Sequence, residues 1–457
     1  MDLKDKKVLV VGLARTGVAA VRFLAGRGAR VKVSDAKPAG ELGAALKALG
    51  GLPVEWELGG HTLPTFLKAD LIVVSPGVPM DVEPLAKARA EGIPVMSEVE
   101  LASRFLRRPL IAITGTNGKT TTTTLIGEML RACGKSAFVG GNIGNPLIEY
   151  VATPQKEEWV VAEISSFQLE GTLKFRPKIS ALLNITEDHL DRYPNFQEYI
   201  RAKGMIFQNQ DREDWAVLNA DDPLTFQFAH RVECQVILFS AQRPVPVGSF
   251  LEKGGISFQG ADGKKTRFSL ERLKIRGAHN LENLMAAITA CLICGCPPEA
   301  LQGVIDEFPG LEHRLEWVRD MDGVTFFNDS KGTNVGAVVK SLVSFQRPIL
   351  LIAGGRDKGG DYGPLKRLIA ERVKGMALIG EAKEGMDGAL GGLTETVKVD
   401  TLEDAVHWAF SKAVPGDVVL LSPACSSFDM FENYQERGKR FKSIVYGLEG
   451  HEFTGPR

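Results

Sequence analysis

Short, continuously apolar segments alternate with amphipathic stretches along most of this chain. In the first hundred residues the apolar segments are KKVLVVGL, ARVKVSD, DLIVVSPG and IPVMSE, with stretches such as VAAVRFLAGRG between them. Apolar runs of this length are typical of strands buried on both faces, and their alternation with helices indicates parallel βαβ units. The pattern therefore predicts a doubly wound α/β sheet.

The chain is too long for one hydrophobic core. It has 457 residues, and ~150 residues per domain gives about three domains. A second series of strands (LIAITG, EWVVAEISS, ISALLNIT, WAVLNADD) follows RFLRRP, and residues 232–276 indicate hairpins with turns at KGG and ADG. A helix is predicted to begin near His279. Four more strands (VTFFNDS, PILLIAGG, GMALIG, DVVLLSPA) follow residues 310–314. We predict three α/β domains, at residues 1–108, 109–312 and 313–457.

Composition excludes several classes of protein. A formal net charge of -1 gives no overall field for nucleic acid or an anionic membrane. The N-terminus has no signal-peptide pattern, and no segment approaches the ~20 apolar residues needed to span a bilayer. Cys291, Cys294 and Cys296 end an apolar helical run, so we interpret them as packing residues and not as metal ligands. We expect a cytoplasmic protein without membrane insertion or nucleic-acid binding.

Residues 114–121, TGTNGKTT, carry the strongest local signal. They follow a buried strand and open a helix, so backbone N–H groups and the helix N-terminus can surround phosphate oxygens. Lys119 would neutralise phosphate charge, and the Thr120 hydroxyl would bind magnesium. Ile113 occupies the place of the first glycine of the full Walker spacing, so this is a shortened phosphate loop.

Polar residues follow several other predicted strands, where ligand sites of open α/β sheets gather. Glu163 ends one strand, and its carboxylate is a group that binds magnesium. A strand that simply ends in solvent would have the same sequence. Another strand is followed by Asp188, His189 and Asp191. The sequence alone does not distinguish metal binding from helix capping as the role of these residues. In the last third, DSKGTN, GGRDK and SPACSSFD follow three strands and together suggest an anionic substrate.

A glycine turn near the N-terminus resembles a nucleotide-binding turn. Gly12 and Gly17 bracket it, Ala14 takes the place of the second glycine, and Asp35 ends the next strand. Asp35 is placed to accept a hydrogen bond from a ribose or a uracil. Ala14 argues against a dehydrogenase, which is one alternative for this turn.

Six motifs together identify a family. GTNGKTT, NITEDHLDRY, GAHNLENLMAA, GLEHRLE, NDSKGTN and GGRDKGG occur in the order found in the Mur ligases, and the resemblance covers nearly the whole chain. The segments SPG at 75–77, GGNIGNP at 140–146 and LSPACSSFDMFENYQERG resemble most the members that add D-glutamate. The resemblance implies a Rossmann-like first domain for a UDP-sugar, a central phosphate-loop ATPase domain and a Rossmann-like third domain for the amino acid.

The resemblance also implies the chemistry. ATP would phosphorylate the terminal carboxylate of UDP-N-acetylmuramoyl-L-alanine, and the amine of D-glutamate would attack the acyl phosphate, in a step of peptidoglycan synthesis. It implies ATP and two magnesium ions as cofactors, with Lys203 carbamylated, and a monomer is expected. Alternatives are another step of the same family, a folylpolyglutamate synthetase-like ligase, or, in a different class, a regulatory ATPase that hydrolyses ATP without ligation.

Individual residues match the family's positions. The catalytic matches are Lys119, His189, Lys203 and Lys331. The ATP-site matches are Gly115, Thr116, Asn117, Gly118, Lys119, Thr120, Thr121, Asn280, Asn283, Arg314 and Asp329. The magnesium matches are Thr120, Glu163, His189 and Lys203. The substrate matches are Arg15, Thr16, Asp35, Ala36, Lys37, Ser75, Asn142, Lys331, Thr333, Asp357, Lys358, Ser427, Phe428 and Tyr434. Ala36, Lys37 and Tyr434 depart from the family's residue types.

Overall fold

A computed structural model of the chain describes residues 1–189, 192–275, 277–357, 359 and 361–449. They form two compact units. The first comprises Met1–Ile185, Gln197–Glu271 and Glu282–Ile305. The second comprises the described residues of Thr186–Phe196, Arg272–Leu281 and Asp306–Arg457.

The first sheet is parallel, with strand order β3-β2-β1-β4-β5. Its strands are β1 Lys7–Val11, β2 Arg30–Asp35, β3 Val54–Leu58, β4 Leu71–Val74 and β5 Val95–Ser97. Its helices are α1 Arg15–Gly26, α2 Gly43–Ala48, α3 Leu63–Leu67, α4 Glu83–Ala90 and α5 Glu98–Ser103. The order reverses direction beside β1, so the turns after β1 and β4 lie at the point where ligands bind in such sheets.

The second sheet has nine strands in the order β14-β13-β12-β11-β10-β9-β6-β8-β7. The strands are β6 Leu110–Thr114, β7 Ala137–Gly141, β8 Trp159–Glu163, β9 Ile179–Leu182, β10 Trp215–Asn219, β11 Gln235–Ser240, β12 Gly248–Glu252, β13 Gly255–Gln259 and β14 Lys265–Ser269. The helices are α6 Lys119–Ala132, α7 Leu147–Val151, α8 Ser166–Leu169, α9 Phe196–Gly204, α10 Pro223–Phe226, α11 Ala278–Ile293 and α12 Pro298–Glu307. β12, β13 and β14 form the predicted hairpins, and the other neighbours pair in parallel.

The third sheet lies in the second unit and has the order β15-β16-β20-β17-β18-β19. Its strands are β15 Glu316–Met321, β16 Val324–Asn328, β17 Ile349–Gly354, β18 Val373–Ile379, β19 Glu395–Lys398 and β20 Val418–Ala424. Its helices are α13 Val335–Val343, α14 Lys366–Arg372, α15 Lys383–Leu390, α16 Leu402–Lys412 and α17 Tyr434–Gly447. Only β15 is antiparallel to its neighbour. Two apolar clusters cover the two faces of this sheet.

The predicted α/β class is confirmed, and the segments predicted as buried strands are strands. Four strands of the described residues were not predicted, namely β3, β7, β15 and β19. β11 extends the parallel part of the second sheet, so the antiparallel part is smaller than residues 232–276 suggested. No helix among the described residues is long and apolar enough to cross a membrane.

Candidate active site

The phosphate loop lies between β6 and α6. Gly115 and Gly118 have φ of +144° and +89°, and Gly118 caps α6 in the left-handed conformation, which favours glycine. Asn184, at the end of the neighbouring strand, fixes the loop. Its carbonyl accepts the Thr116 N–H at 2.9 Å, and its side chain accepts the Asn117 N–H at 2.9 Å and donates to the Asn117 carbonyl at 3.0 Å. The loop is therefore held open around the N-terminus of α6.

Two lysines converge on the carbonyls of this loop. Lys119 Nζ donates to the carbonyls of Gly115 and Thr116, both at 2.9 Å. Lys203 on α9 is 1% exposed, and its Nζ donates to the same Gly115 carbonyl at 2.8 Å. The Lys203 amine also lies 4.5 Å from the ring centre of Tyr199, whose hydroxyl is 3.1 Å from Thr116 Oγ1. The structure thus places Lys203 beside the loop, although Lys119 and Lys203 are 84 positions apart in the sequence.

An acidic group stands beside the first turn of α6. Glu163 is buried at the end of β8, and its Oε2 accepts a hydrogen bond from Thr120 Oγ1 at 2.8 Å. Its Oε1 accepts one from Asn142 Nδ2 at 2.8 Å, and the Asn142 N–H donates to the Glu163 carbonyl at the same distance. The structure therefore brings Thr120, Glu163 and Asn142 together, as oxygen-rich groups next to a phosphate loop.

The other predicted ATP-site residues are distributed over both units. Thr121 is buried in α6, and a Cβ on Gly118 would clash with the side-chain oxygen of Asn283 on α11. Asn280 belongs to the second unit and is buried. Its neighbour His279 is half-buried, and desolvation, with Lys340 and Arg314 nearby, lowers the His279 pKa to about 3. This histidine is therefore neutral at physiological pH.

His189 lies in the second unit and has a positive φ of 58°. Its N–H donates to Asp188 Oδ1 at 3.0 Å, and Asp188 Oδ2 accepts from Asn334 Nδ2 at 3.0 Å. These hydrogen bonds fix the Asp188 side chain between the backbone of His189 and the side chain of Asn334. Asp191, the third polar residue of the sequence motif, lies outside the described residues.

Asp329 is a buried carboxylate at the end of β16. It accepts hydrogen bonds from Ser341 Oγ at 2.6 Å, Ser422 Oγ at 2.7 Å and the Leu315 N–H at 3.3 Å. Burial raises its pKa to about 6, against the opposing effects of these hydrogen bonds and of the Arg314 charge. Asp329 and Arg314, both matched to the ATP site, are thus electrostatic neighbours.

The three polar loops of the third sheet converge because β16, β20 and β17 are adjacent. The backbones of Arg356 and Ser426 pair, with N–H to O distances of 2.9 and 3.2 Å. Lys331 Nζ lies 4.0 Å from the ring centre of Tyr434, and the Thr333 N–H donates to the Lys331 carbonyl at 2.8 Å. Ser427 is buried, whereas Asp357 and Phe428 are exposed. Lys358 lies outside the described residues.

Arg437 on α17 holds two of these loops together, and sequence reasoning missed it. The guanidinium is 1% exposed and donates to Ser330 Oγ at 3.0 Å, to the Ser330 carbonyl at 2.9 Å and to the Cys425 carbonyl at 3.2 Å. Burial lowers its pKa to about 10, so it remains a cation at neutral pH. Arg437 lies within the motif ENYQERG, and that motif was the sequence feature that could have identified it. Asn184, which lies within NITEDHLDRY, and Tyr199, four residues before Lys203, were not singled out either.

Asp35 organises the glycine turn of the first sheet. Its Oδ2 accepts the Leu13 N–H at 2.6 Å, and its Oδ1 accepts the Lys37 N–H at 2.8 Å. Ser75 Oγ donates to the Gly12 carbonyl at 2.7 Å, which fixes the other side of the turn. Arg15 opens α1, is exposed and donates to Asn145 Oδ1 at 3.0 Å. Thr16 is half-buried, and Ala36 and Lys37 are exposed.

Family models match three successive parts of the chain. The Mur ligase MurD-like N-terminal domain matches residues 6–97, the Mur ligase middle domain residues 113–291, and the Mur ligase glutamate ligase domain residues 313–425. A UDP-N-acetylmuramoylalanine–D-glutamate ligase of Geotalea uraniireducens is 55% identical over 98% of this chain and 99% of its own length. A relative of the same name from Acidobacterium capsulatum is 47% identical, with 98% of each chain covered.

Solved structures share the fold at lower identity. A pseudomurein peptide ligase of Methanothermus fervidus has a TM-score of 0.63 and 19% identity, covering 97% of this chain and 100% of its own. The UDP-N-acetylmuramate–alanine ligase of Thermotoga maritima has a TM-score of 0.60 and 20% identity, with the same coverage. The family matches and the near-full-length relatives show that this chain belongs to the Mur ligase family of ATP-dependent ligases.

Proposed function

We propose that this enzyme joins D-glutamate to UDP-N-acetylmuramoyl-L-alanine, using ATP and magnesium, as a step of peptidoglycan synthesis. The observation that carries the proposal is the 55% identity, over 98% of the chain, to a relative named for this reaction. The phosphate loop with Lys119, Thr120 and Glu163 supports the ATP-dependent half of the reaction.

The proposed reaction forms an amide from a carboxylate, which is a poor electrophile. Transfer of the ATP γ-phosphoryl group to the alanine carboxylate gives an acyl phosphate and ADP. The D-glutamate nitrogen then forms a bond to the carbonyl carbon, phosphate leaves with the C–O electrons, and the amine loses its proton. The enzyme would contribute by positioning the reactants and by neutralising the phosphate charge with Lys119 and the N-terminus of α6.

The groups beside α6 fit a magnesium ion. Adjacent ligands of an octahedral magnesium are about 2.9 Å apart, since the Mg–O bonds are about 2.1 Å long and meet at right angles. Thr120 Oγ1 and Glu163 Oε2 are 2.8 Å apart, so both could enter one such shell with little movement. Bound magnesium would neutralise phosphate charge and orient the transferring group. Phosphate oxygens and water would complete the shell.

A second magnesium is proposed for His189 and a carbamylated Lys203. A protonated amine cannot bind a metal, but a neutral amine that captures carbon dioxide becomes an anionic oxygen ligand. The near-complete burial of Lys203 supports this, because desolvation favours the neutral amine. The Lys203 amine donates a hydrogen bond to the Gly115 carbonyl, so the carbamate would lie at the phosphate loop.

The remaining assignments extend the proposal to the substrates. The turn around Asp35 and Ser75 would hold the UDP group, and the loops bearing Lys331, Thr333, Ser427 and Tyr434 would hold D-glutamate. The boundaries at 108/109 and 312/313, the monomeric state and the cytoplasmic location remain predictions.

The reaction is tested with a panel of amino acids. ADP release in the presence of UDP-N-acetylmuramoyl-L-alanine and magnesium should require D-glutamate. Comparable release with L-lysine or meso-diaminopimelate would contradict the substrate assignment. ADP release without any amino acid would favour the regulatory ATPase instead.

Carbamylation of Lys203 has a separate test. Wild-type enzyme in carbon-13 bicarbonate should give a carbamate signal by NMR that is absent from Lys203→Ala. That variant should be nearly inactive and partly rescued by acetate, which supplies carboxylate oxygens. Arg201→Ala, an exposed change on the same helix, is the matched control and should keep signal and activity. A fully active Lys203→Ala variant would overturn the assignment.

A further inference from the structure

An open cavity of about 760 Å³ in the first unit is lined by four arginines, and we call it the arginine pocket. The four are Arg27, directly after α1, and Arg104, Arg107 and Arg108, in the segment that joins α5 to β6. The end of α7 and the residues after it form the facing wall. No aspartate or glutamate is among the described residues that line the pocket. The reaction proposed above uses none of these side chains.

The arginine pocket lies away from both proposed nucleotide sites. Arg108 precedes β6, whereas the phosphate loop follows it, and this strand of five residues is roughly 17 Å long at ~3.3 Å per residue. Arg15, in the proposed UDP site, begins α1, and Arg27 follows the end of the same helix. At ~1.5 Å per residue the 12 residues of α1 span roughly 18 Å. An anion in the pocket is therefore neither the transferred phosphate nor the UDP group.

Aromatic rings hold the guanidinium of Arg27 in place. Its central carbon lies 5.0 Å from the centre of the Phe23 ring and 4.9 Å from the centre of the Phe105 ring. The two rings pack edge to face with their centres 5.0 Å apart. Contact with aromatic rings orients a guanidinium and leaves its N–H groups available to other acceptors. Arg27 is thus ordered but can still donate hydrogen bonds to a ligand.

Gln155 fixes the wall that carries Arg107 and Arg108. Its Oε1 accepts the Arg107 N–H at 2.8 Å, and its Nε2 donates to the Phe105 carbonyl at 2.9 Å. Its own carbonyl accepts hydrogen bonds from Nε and Nη2 of Arg108 at 3.3 and 3.2 Å. A guanidinium has five N–H donors, so Arg108 retains donors for a ligand. One glutamine therefore positions two consecutive arginines.

Three of the four positive charges in the pocket lack a paired carboxylate. Arg104 forms an ion pair with the buried Glu100. Arg27, Arg107 and Arg108 form no ion pair with any residue that the structure describes. Arginine stays protonated at physiological pH, so three cations share one cavity. A bound anion would lower their mutual repulsion.

The chemistry of the pocket favours phosphate. The fork of an arginine matches two phosphate oxygens at once, and several neighbouring arginines match several neighbouring phosphate groups. The volume lies within the ~300–1,000 Å³ that is usual for pockets that bind small molecules. We propose that the arginine pocket is an additional anion-binding site, which binds small compounds that carry adjacent phosphate groups.

The experiment is isothermal titration calorimetry of the full-length enzyme with inorganic tripolyphosphate. The buffer contains no divalent metal and little salt, because salt screens the attraction. The wild type should bind two equivalents, one at the phosphate loop and one in the arginine pocket. Arg107→Gln should weaken one of them at least ~10-fold, the effect of one lost hydrogen bond to a charged group. Lys119→Ala should weaken only the other, so this proposal and the proposed ATP site fail separately.

Arg107 suits the test because it is exposed and its side chain pairs with no described carboxylate. Arg107→Gln should therefore melt at the wild-type temperature, and Arg107→Lys should restore only part of the binding. Arg22→Gln is the control, since this exposed arginine of α1 donates to the Ala48 carbonyl and does not line the pocket. Wild-type binding by Arg107→Gln would overturn the proposal. Equally tight binding of citrate at the same site would also overturn it, because its three carboxylates would show that the site does not select phosphate.

Discussion

Lys119 is held in a fixed position at the phosphate loop. Its amine is held above the loop by the carbonyls of Gly115 and Thr116. A phosphate entering the loop would therefore meet an ordered cation at the N-terminus of α6, with no need to recruit one from solvent.

We expect Lys119→Ala to lower turnover at least ~100-fold, because it removes one preorganised charge from the transferring phosphate. Steady-state ADP release with saturating substrates measures the effect. Arg131→Ala, at the other end of α6 and exposed, is the control and should stay near wild type. Near-normal turnover of Lys119→Ala would contradict the assigned role.

Glu98 is a buried carboxylic acid at the start of a helix. It begins α5, its Oε1 accepts the Ile148 N–H at 2.7 Å, and its Oε2 is buried without a hydrogen bond among the described residues. Burial raises its pKa from 4.5 to about 7, with a smaller contribution from the charge of Glu149. The folded protein therefore holds a proton that the unfolded chain releases above pH 4.5.

This carboxyl should make the protein less stable as pH rises from 4.5 to 7, because the folded state binds the extra proton throughout that window. Above pH 7 the penalty is complete, at most about 3 kcal/mol. Glu98→Gln should melt at a higher temperature than wild type at pH 8 and at a similar temperature at pH 4.5, measured by calorimetry. An equal difference at both pH values would contradict this origin.

At the scale of elements, Arg437 fastens the loops after β16 and β20 to α17. A planar guanidinium can donate hydrogen bonds to several acceptors in fixed directions, whereas an ammonium group cannot. These two loops, which are proposed to hold D-glutamate, are thus positioned by a helix that lies later in the chain.

Arg437→Ala should lower the free energy of unfolding by about 3 kcal/mol, since it leaves buried acceptors unpaired. The loosened loops should also raise the KM for D-glutamate more than they lower kcat, and Arg437→Lys should restore little of either. Arg440→Ala, on the same helix but exposed and paired with Glu403, is the control. A KM unchanged in Arg437→Ala would argue against its positioning role.

The strands that sequence analysis found and missed differ in their environment. β1, β6, β17 and β20 are central, and their residues are almost all buried, so they appear as continuous apolar runs. β3, β15 and β19 occupy or approach sheet edges and expose many of their residues. Their sequences, such as VEWEL and EWVRDM, mix charged and apolar residues and lack that signal. Edge position is decided by the rest of the sheet, which local sequence does not contain.

At the scale of the whole molecule, the motifs predicted the candidate site residues but not the contacts that hold them in place. The motif GTNGKTT identified Lys119 and Thr120, and strand order explains why Glu163 is close to them. The support that Asn184 gives to Asn117 and the approach of Lys203 to Gly115 depend on side-chain geometry across the assembled sheet. No spacing rule along the chain specifies these contacts.

The contact between α6 and α11 also has a consequence for how the protein is made. Cys291 Sγ on α11 donates to the Ile126 carbonyl on α6 at 3.8 Å, and the two residues are 165 positions apart. At ~5–20 residues per second, a ribosome needs roughly 10–30 s to reach the second after completing the first. During that interval the contact between α6 and α11 cannot form. The helix proposed to bind nucleotide is thus completed well before the helix that packs against it, so its native packing has to wait for the later part of the chain.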